Sequence, residues 1–286
     1  MIIQQTGSRG TILTFDDGIS VFLIHGSRFH LLCDTHLGPQ SMEKVISFLA
    51  DKIRPDPVIV FNSHSDWDHI WGNCSFPDSL IIGHEFCRNR IIERGSFDLQ
   101  QNFSLCRGDV VLTPPLLTFS DRLVFENEDI EFSYAPGHTI DSAICYDKRD
   151  QVLYLGDLVE DPIPYLDAED LDTYIKTLQT IFSHPARVLI SAHSGIVTRD
   201  LVNQNISYIA KVKEGIQINP EEFGSYQSVH RWNMIMRIIW EYESVMKERM
   251  GEDISHMRIL EQIGDLHDIS PEKLNHVLDR HNYDQD

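Results

Sequence analysis

The chain has 286 residues, of which 42% are hydrophobic and 24% charged, enough for one large packed domain or a domain with an appendage, and disorder is excluded except at the tail 282–286. Its formal charge of −20 repels phosphate backbones and anionic lipid, which argues against nucleic-acid and membrane partners. Cys33, Cys74, Cys87, Cys106 and Cys145 form no C-x-x-C pair and are odd in number, so they read as reduced thiols of a cytoplasmic protein. The opening Met1-Ile2-Ile3-Gln4-Gln5 lacks the basic and apolar regions of a signal peptide. No apolar run approaches the roughly 18 residues that span a bilayer.

In chain order, 11–15, 19–25 and 28–33 are strand-like runs, with Gly26-Ser27 as the turn between the last two. Met42, Val45, Ile46, Leu49 and Ile53 recur at helical spacing, which predicts a helix over 41–53. Ser41 is its expected cap and Arg54-Pro55-Asp56-Pro57 its stop. Val58-Ile59-Val60-Phe61 is a continuous apolar run, as a strand covered on both faces requires. A strand at 80–82 and a helix over about 84–94 follow, then strands near 122–125, 130–134, 143–146 and 151–155. Leu171, Tyr174, Ile175, Leu178 and Ile181 form one face of a helix over 171–182, and Val188-Leu189-Ile190 is the last strand expected.

Beyond Thr198 the pattern turns helical. Leu201, Val202, Ile206, Ile209 and Val212 make one stripe, broken at Asn219-Pro220. A second helix is expected over about 228–250, with Trp232, Ile235, Ile239, Tyr242 and Met246 as a core face or, alternatively, a homodimer face. Ser270-Pro271-Glu272 signals the start of a final helix. Residues 1–198 therefore read as one domain and 199–286 as a helical extension packed on it.

The segment His64-Ser65-Asp66-Trp67-Asp68-His69 follows the buried strand directly and holds four potential metal ligands. In an extended loop His64, Asp66 and Asp68 point one way and His69 another, which suits two neighbouring ions. A polar surface loop is the bland alternative. One loop cannot fill two coordination shells. Further ligands lie at other strand ends: His138 in Ala135-Pro136-Gly137-His138, Asp157 in Leu155-Gly156-Asp157, and His193 in Ser191-Ala192-His193. A charged Asp ending an apolar strand is costly unless solvated or paired, and a metal would pair it.

This order of motifs resembles the metallo-β-lactamase superfamily over about residues 10 to 200, and Cys33-Asp34-Thr35 resembles its early strand-end Asp-Thr. The resemblance implies an α+β fold, a four-layer αββα sandwich here followed by the helical extension. It also implies two metal sites: His64, the residue at 66, and His138 in the first, Asp68, His69 and His193 in the second, with Asp157 bridging. Asp66 departs from the pattern, because the family's hydrolases carry a second His there. Either Asp66 is a ligand, or it is too short and the first site is weak or empty. A third carboxylate brings the cluster close to neutral and shifts preference from zinc, the family's usual metal, toward iron or manganese.

The resulting expectation is a dinuclear hydrolase acting on a small-molecule ester, thioester, lactone or similar bond through a metal-bound hydroxide, with Asp68 handling the proton. The alternative is a diiron enzyme handling oxygen or nitric oxide, since flavodiiron proteins carry a carboxylate at the position of Asp66. Against it, the helical tail has no glycine-rich loop for a flavin. A non-catalytic metal-binding protein is a third reading. His25, His30 and His36 read as structural, His84 as a cap or pocket wall, Tyr165 as a pocket or surface residue, and Trp67 as a shield between ligands.

Overall fold

A computed structural model describes residues 1–50 and 56–250. The expected stop at Arg54-Pro55, the final helix from Ser270 and the side chains of Tyr242 and Met246 lie outside the described residues. The strands are β1 (Ile2–Thr6), β2 (Gly10–Thr14), β3 (Ser20–His25), β4 (His30–Cys33), β5 (Val58–Phe61), β6 (Leu80–His84), β7 (Leu117–Phe119), β8 (Arg122–Phe125), β9 (Ile130–Tyr134), β10 (Ala143–Asp147), β11 (Val152–Tyr154), β12 (Val188–Ser191) and β13 (Gly195–Val197). The helices are α1 (Pro39–Ala50), α2 (Trp67–Ile70), α3 (Glu85–Gln101), α4 (Leu171–Ser183), α5 (Arg199–Lys213) and α6 (Gln227–Met250).

The strands form two sheets. One runs β1-β2-β3-β4-β5-β6-β7 and the other β13-β12-β11-β10-β9-β8. Alternation explains why they stack. On β2 to β5, Ile12, Phe22, Leu31 and Phe61 enter the core between the sheets, where they meet Phe132, Cys145, Tyr154 and Ile190. Their neighbours Leu13, Val21, Leu32 and Val60 face outward onto Met42, Val45 and Leu49 of α1. A strand covered on both faces must be apolar throughout, which is why Val58 to Phe61 shows no alternation. On the far side, Leu171, Tyr174 and Leu178 of α4 and Val202 and Ile209 of α5 cover Leu153 and Leu189, and Val229 of α6 joins the same core. The architecture is the expected helix–sheet–sheet–helix sandwich. Arg9 bolts the sheets together at a buried point, through Asp147 at 2.7 Å and the Glu128 carbonyl at 2.6 Å.

Several local expectations change. Helix α1 begins at Pro39, whose fixed φ suits a first helical position. Ser41 is therefore inside the first turn, and its hydroxyl meets His36 Nδ1 at 2.8 Å instead of capping. Helix α3 runs to Gln101, and His84 is its cap, accepting the Phe86 N–H. Strands β1, β7 and β13 were not expected, and β13 makes Val188–Ser191 the penultimate strand. Ile235 and Ile239 are buried, as a core face requires. His25 and His30 face each other with Nδ1 atoms 3.0 Å apart, and His36 stacks on Phe15, both structural roles. Cys33, Cys87 and Cys145 are buried and all five cysteines are free. No helix among the described residues is long and apolar enough to cross a membrane.

Candidate metal centre

Strands β9, β11 and β12 run the same way, because β11 pairs parallel with β12 and antiparallel β10 separates β11 from β9. The segments leaving β5, β9, β11 and β12 carry His64 to His69, His138, Asp157 and His193, and they converge. The family-like segment is not wholly extended. Asp66 takes the N-cap position and residues 67–70 turn helical, so Asp68 and His69 project from successive positions of one turn. Trp67 packs on Trp71, with ring centroids 5.3 Å apart.

One oxygen sits at the middle. Asp157 Oδ2 lies 3.1 Å from His69 Nε2, 3.1 Å from His193 Nε2, 3.7 Å from His64 Nε2 and 3.9 Å from His138 Nε2. On one side Asp68 Oδ2 is 3.7 Å from His69 Nε2 and 3.2 Å from His193 Nε2. On the other, Asp66 Oδ2 is 3.5 Å from His64 Nε2 and 3.4 Å from His138 Nε2. Ligands at about 2.1 Å from a tetrahedral ion stand about 3.4 Å apart, so these separations are of the size a metal's coordination shell has. Asp66, despite its length, lies within this range of both His64 and His138.

Hydrogen bonds aim the rings. Asp34, at the end of β4, accepts from the Ser63 N–H at 2.8 Å, the Ser63 hydroxyl at 2.7 Å, the Tyr154 hydroxyl at 2.7 Å and His69 Nδ1 at 2.8 Å. The Ser63 hydroxyl spends its proton on Asp34, so its oxygen accepts from His64 Nδ1 at 3.0 Å. His138 Nδ1 donates to the Tyr165 carbonyl at 3.2 Å. Each of these three rings thus directs Nε2 into the centre, the orientation that outer-shell partners give metal-ligating histidines. His64 Nε2, His138 Nε2 and Asp157 Oδ1 are buried without a hydrogen-bond partner, which is what a cation would relieve. The donor set of imidazoles and carboxylates therefore fits divalent metal.

Backbone geometry supports the placement. Asp34 holds a left-handed φ of 64°, a conformation Asp tolerates better than most residues. Gly156 precedes Asp157 with φ +55°, and a Cβ there would stand 2.6 Å from Ser63 Oγ. A side chain there would have to displace Ser63, which orients His64.

The charges interlock. Burial alone would lower His69, but Asp157, Asp68 and Asp34 hold its imidazole well above the usual range. Burial likewise opposes His138, yet Asp66 and Asp157 push it up to about 10. Burial would raise Asp157, but His193 and His69 keep it well below the carboxylate range. Imidazoles must be unprotonated to hold a metal, so binding at this centre would release protons.

Other contributors carried no signal in the sequence. Glu160 is buried beside the centre, its carboxyl pushed up to about 7 by burial and by Asp157. Buried Asn205 of α5 accepts the Glu160 N–H at 3.0 Å and donates to its carbonyl at 2.9 Å. Arg90 of α3 donates to Ser65 Oγ at 3.0 Å and lies 3.1 Å from Asp141, tying the ligand segment to the β9–β10 turn. Tyr165 is exposed, and its carbonyl, not its ring, meets His138.

Residues 14–193 match the family model described as the metallo-beta-lactamase superfamily. A hydroxyacylglutathione hydrolase of Thermosynechococcus vestitus is 26% identical over 125 residues, covering 38% of this chain and 42% of that protein. A candidate transcription factor of Aspergillus versicolor, avaE, is 27% identical over 205 residues, covering 62% of this chain and 60% of that one. The chain thus spans 42% and 60% of the length of these curated relatives. Among solved structures, a metallo-beta-lactamase from Pontibacter korlensis superposes with a TM-score of 0.58 at 18% identity, covering 73% of this chain and 98% of that one.

Proposed function

Because the chain belongs to the metallo-beta-lactamase superfamily, we propose that it is a dinuclear metal-dependent hydrolase of a small-molecule ester, thioester or lactone. The observation that carries the reading is Asp157 Oδ2, which stands 3.1 to 3.9 Å from four histidine nitrogens and so would be within reach of both ions. His64, Asp66 and His138 would hold one ion, and Asp68, His69 and His193 the other. When bound, divalent ions lower the pKa of water toward neutrality and polarise a carbonyl oxygen.

The chain's own residues supply the rest. Asp34 fixes His69, and through Ser63 it fixes His64, so neither ring reorients during turnover. Asp68, whose Oδ2 lies on the edge of the second cage, would use its other carboxylate oxygen to carry a proton from the nucleophile to the leaving group. A charge of −20 makes a phosphate backbone a poor partner, which favours a small molecule.

The test is metal content of protein purified without chelator, followed by turnover of hydroxyacylglutathione thioesters, aryl esters and lactones. Two ions per chain and hydrolysis lost in folded Asp157→Ala and His138→Ala variants are expected. Full activity in either variant contradicts the assignment.

A diiron redox enzyme is the second reading, favoured by the reach of Asp66 to the first cage. A visible band of the iron-loaded protein that changes under dioxygen or nitric oxide supports it over hydrolysis.

A further inference from the structure

A carboxylate outside the ligand set above stands beside Asp66 and His138. Asp167 follows Leu166, whose N–H donates to Asn233 Oδ1 at 3.0 Å. The same asparagine, fully buried on α6, donates to the Pro164 carbonyl at 2.8 Å. This loop is therefore pinned on both sides of Tyr165, whose carbonyl orients His138. The pinning sets where Asp167 stands: a carboxylate oxygen of Asp167, one of Asp66 and a ring nitrogen of His138 all lie within 4.8 Å of one another. His138 Nε2 is buried there and has no hydrogen-bond partner. Asp167 is exposed and Asp66 half-buried, so the two carboxylates line the open side of a site that the buried imidazole closes from within.

We propose that Asp167 is a further ligand of the first ion, alongside His64, Asp66, His138 and Asp157, and that this site takes manganese or ferrous iron in preference to zinc. The inference rests on the dinuclear reading. Three carboxylates and two imidazoles offer five donors, most of them oxygen. Hard ions with higher coordination numbers suit such a set, whereas zinc favours four donors richer in nitrogen or sulfur. The second cage holds Asp68, His69, Asp157 and His193, two oxygens and two nitrogens, so the two sites differ in hardness.

The experiment uses the full chain, stripped with chelator, dialysed and titrated separately with Mn²⁺ and Zn²⁺ by calorimetry. The expected wild type binds two ions. Asp167→Asn is expected to weaken Mn²⁺ at one site by about tenfold or more, to leave the other site unchanged, and to shift the weakened site toward zinc. Glu169→Gln, on the same loop, removes the same charge away from the cage and is expected to change neither site by more than about twofold. Asp167→Asn that binds Mn²⁺ like the wild type, or an equal loss in Glu169→Gln, overturns the inference and leaves two sites standing. A wild type that binds fewer than two ions of either metal overturns the dinuclear reading and this inference with it.

Discussion

His69 and His138 face the same carboxylate, yet they are held by different parts of the molecule. His69 hangs on Asp34 at the end of a central strand, and Asp34 is locked by Ser63 and by Tyr154 from the opposite sheet. His138 hangs on the backbone of a loop, and buried asparagines of α5 and α6 hold that loop. The inner half of the centre is thus held by strand ends of the sandwich core, and the outer half depends on α5 and α6.

The largest effect breaks both halves together. Asp157→Ala removes the shared oxygen and leaves four imidazoles facing one another. Both ions and all turnover are expected to be lost, and retention of one ion by elemental analysis contradicts a shared bridge.

Asp34→Ala should strike the inner half. It strands the Ser63 N–H and hydroxyl, the Tyr154 hydroxyl and His69 Nδ1 in a buried site, so a stability loss of about 3–5 kcal/mol in urea denaturation is expected. A loss under about 1 kcal/mol shows that the network carries no weight. Asn233→Ala should strike the outer half alone. It costs about 1–3 kcal/mol and weakens one metal site by about tenfold while the other keeps its affinity. Equal weakening of both sites contradicts the division.

The smallest effect concerns Glu160, which borders both halves. Burial raises its carboxyl from 4.5 to about 7, so the folded state favours the neutral acid. The resulting stabilisation is complete below about pH 4.5 and is lost as pH rises through about 7. In chelator-treated protein, Glu160→Gln should therefore flatten the fall in melting temperature across that window. An unchanged slope shows that Glu160 ionises as an ordinary surface acid does.

The inner half was legible in the sequence because its ligands sit at strand ends in fixed order, and its core strands are long or wholly apolar. Asp68, His69, Asp157 and His193 fall where those strand ends place them, and so do His64 and His138 of the outer half. The outer half was less legible for a physical reason. Asn205 and Asn233 sit between apolar positions of helical stripes, and an amide there reads as exposed until the backbone groups it satisfies are in view. Asp167 and Glu160 lie on an irregular loop without periodicity. Residues 67–70 read as extended, and only the position of Asp66 before them marks the turn of helix. Strands β7 and β13, three residues each, are too short to show alternation.

The central claim is that one carboxylate joins two metal cages, the outer one including Asp66. Diffraction from metal-loaded crystals, with anomalous data collected at the manganese, iron and zinc edges, tests it most directly. Two peaks flanking Asp157, with Asp66 in the coordination sphere of the ion bound by His64 and His138, are predicted. A single peak at His69 and His193, with Asp66 turned to solvent, would contradict it.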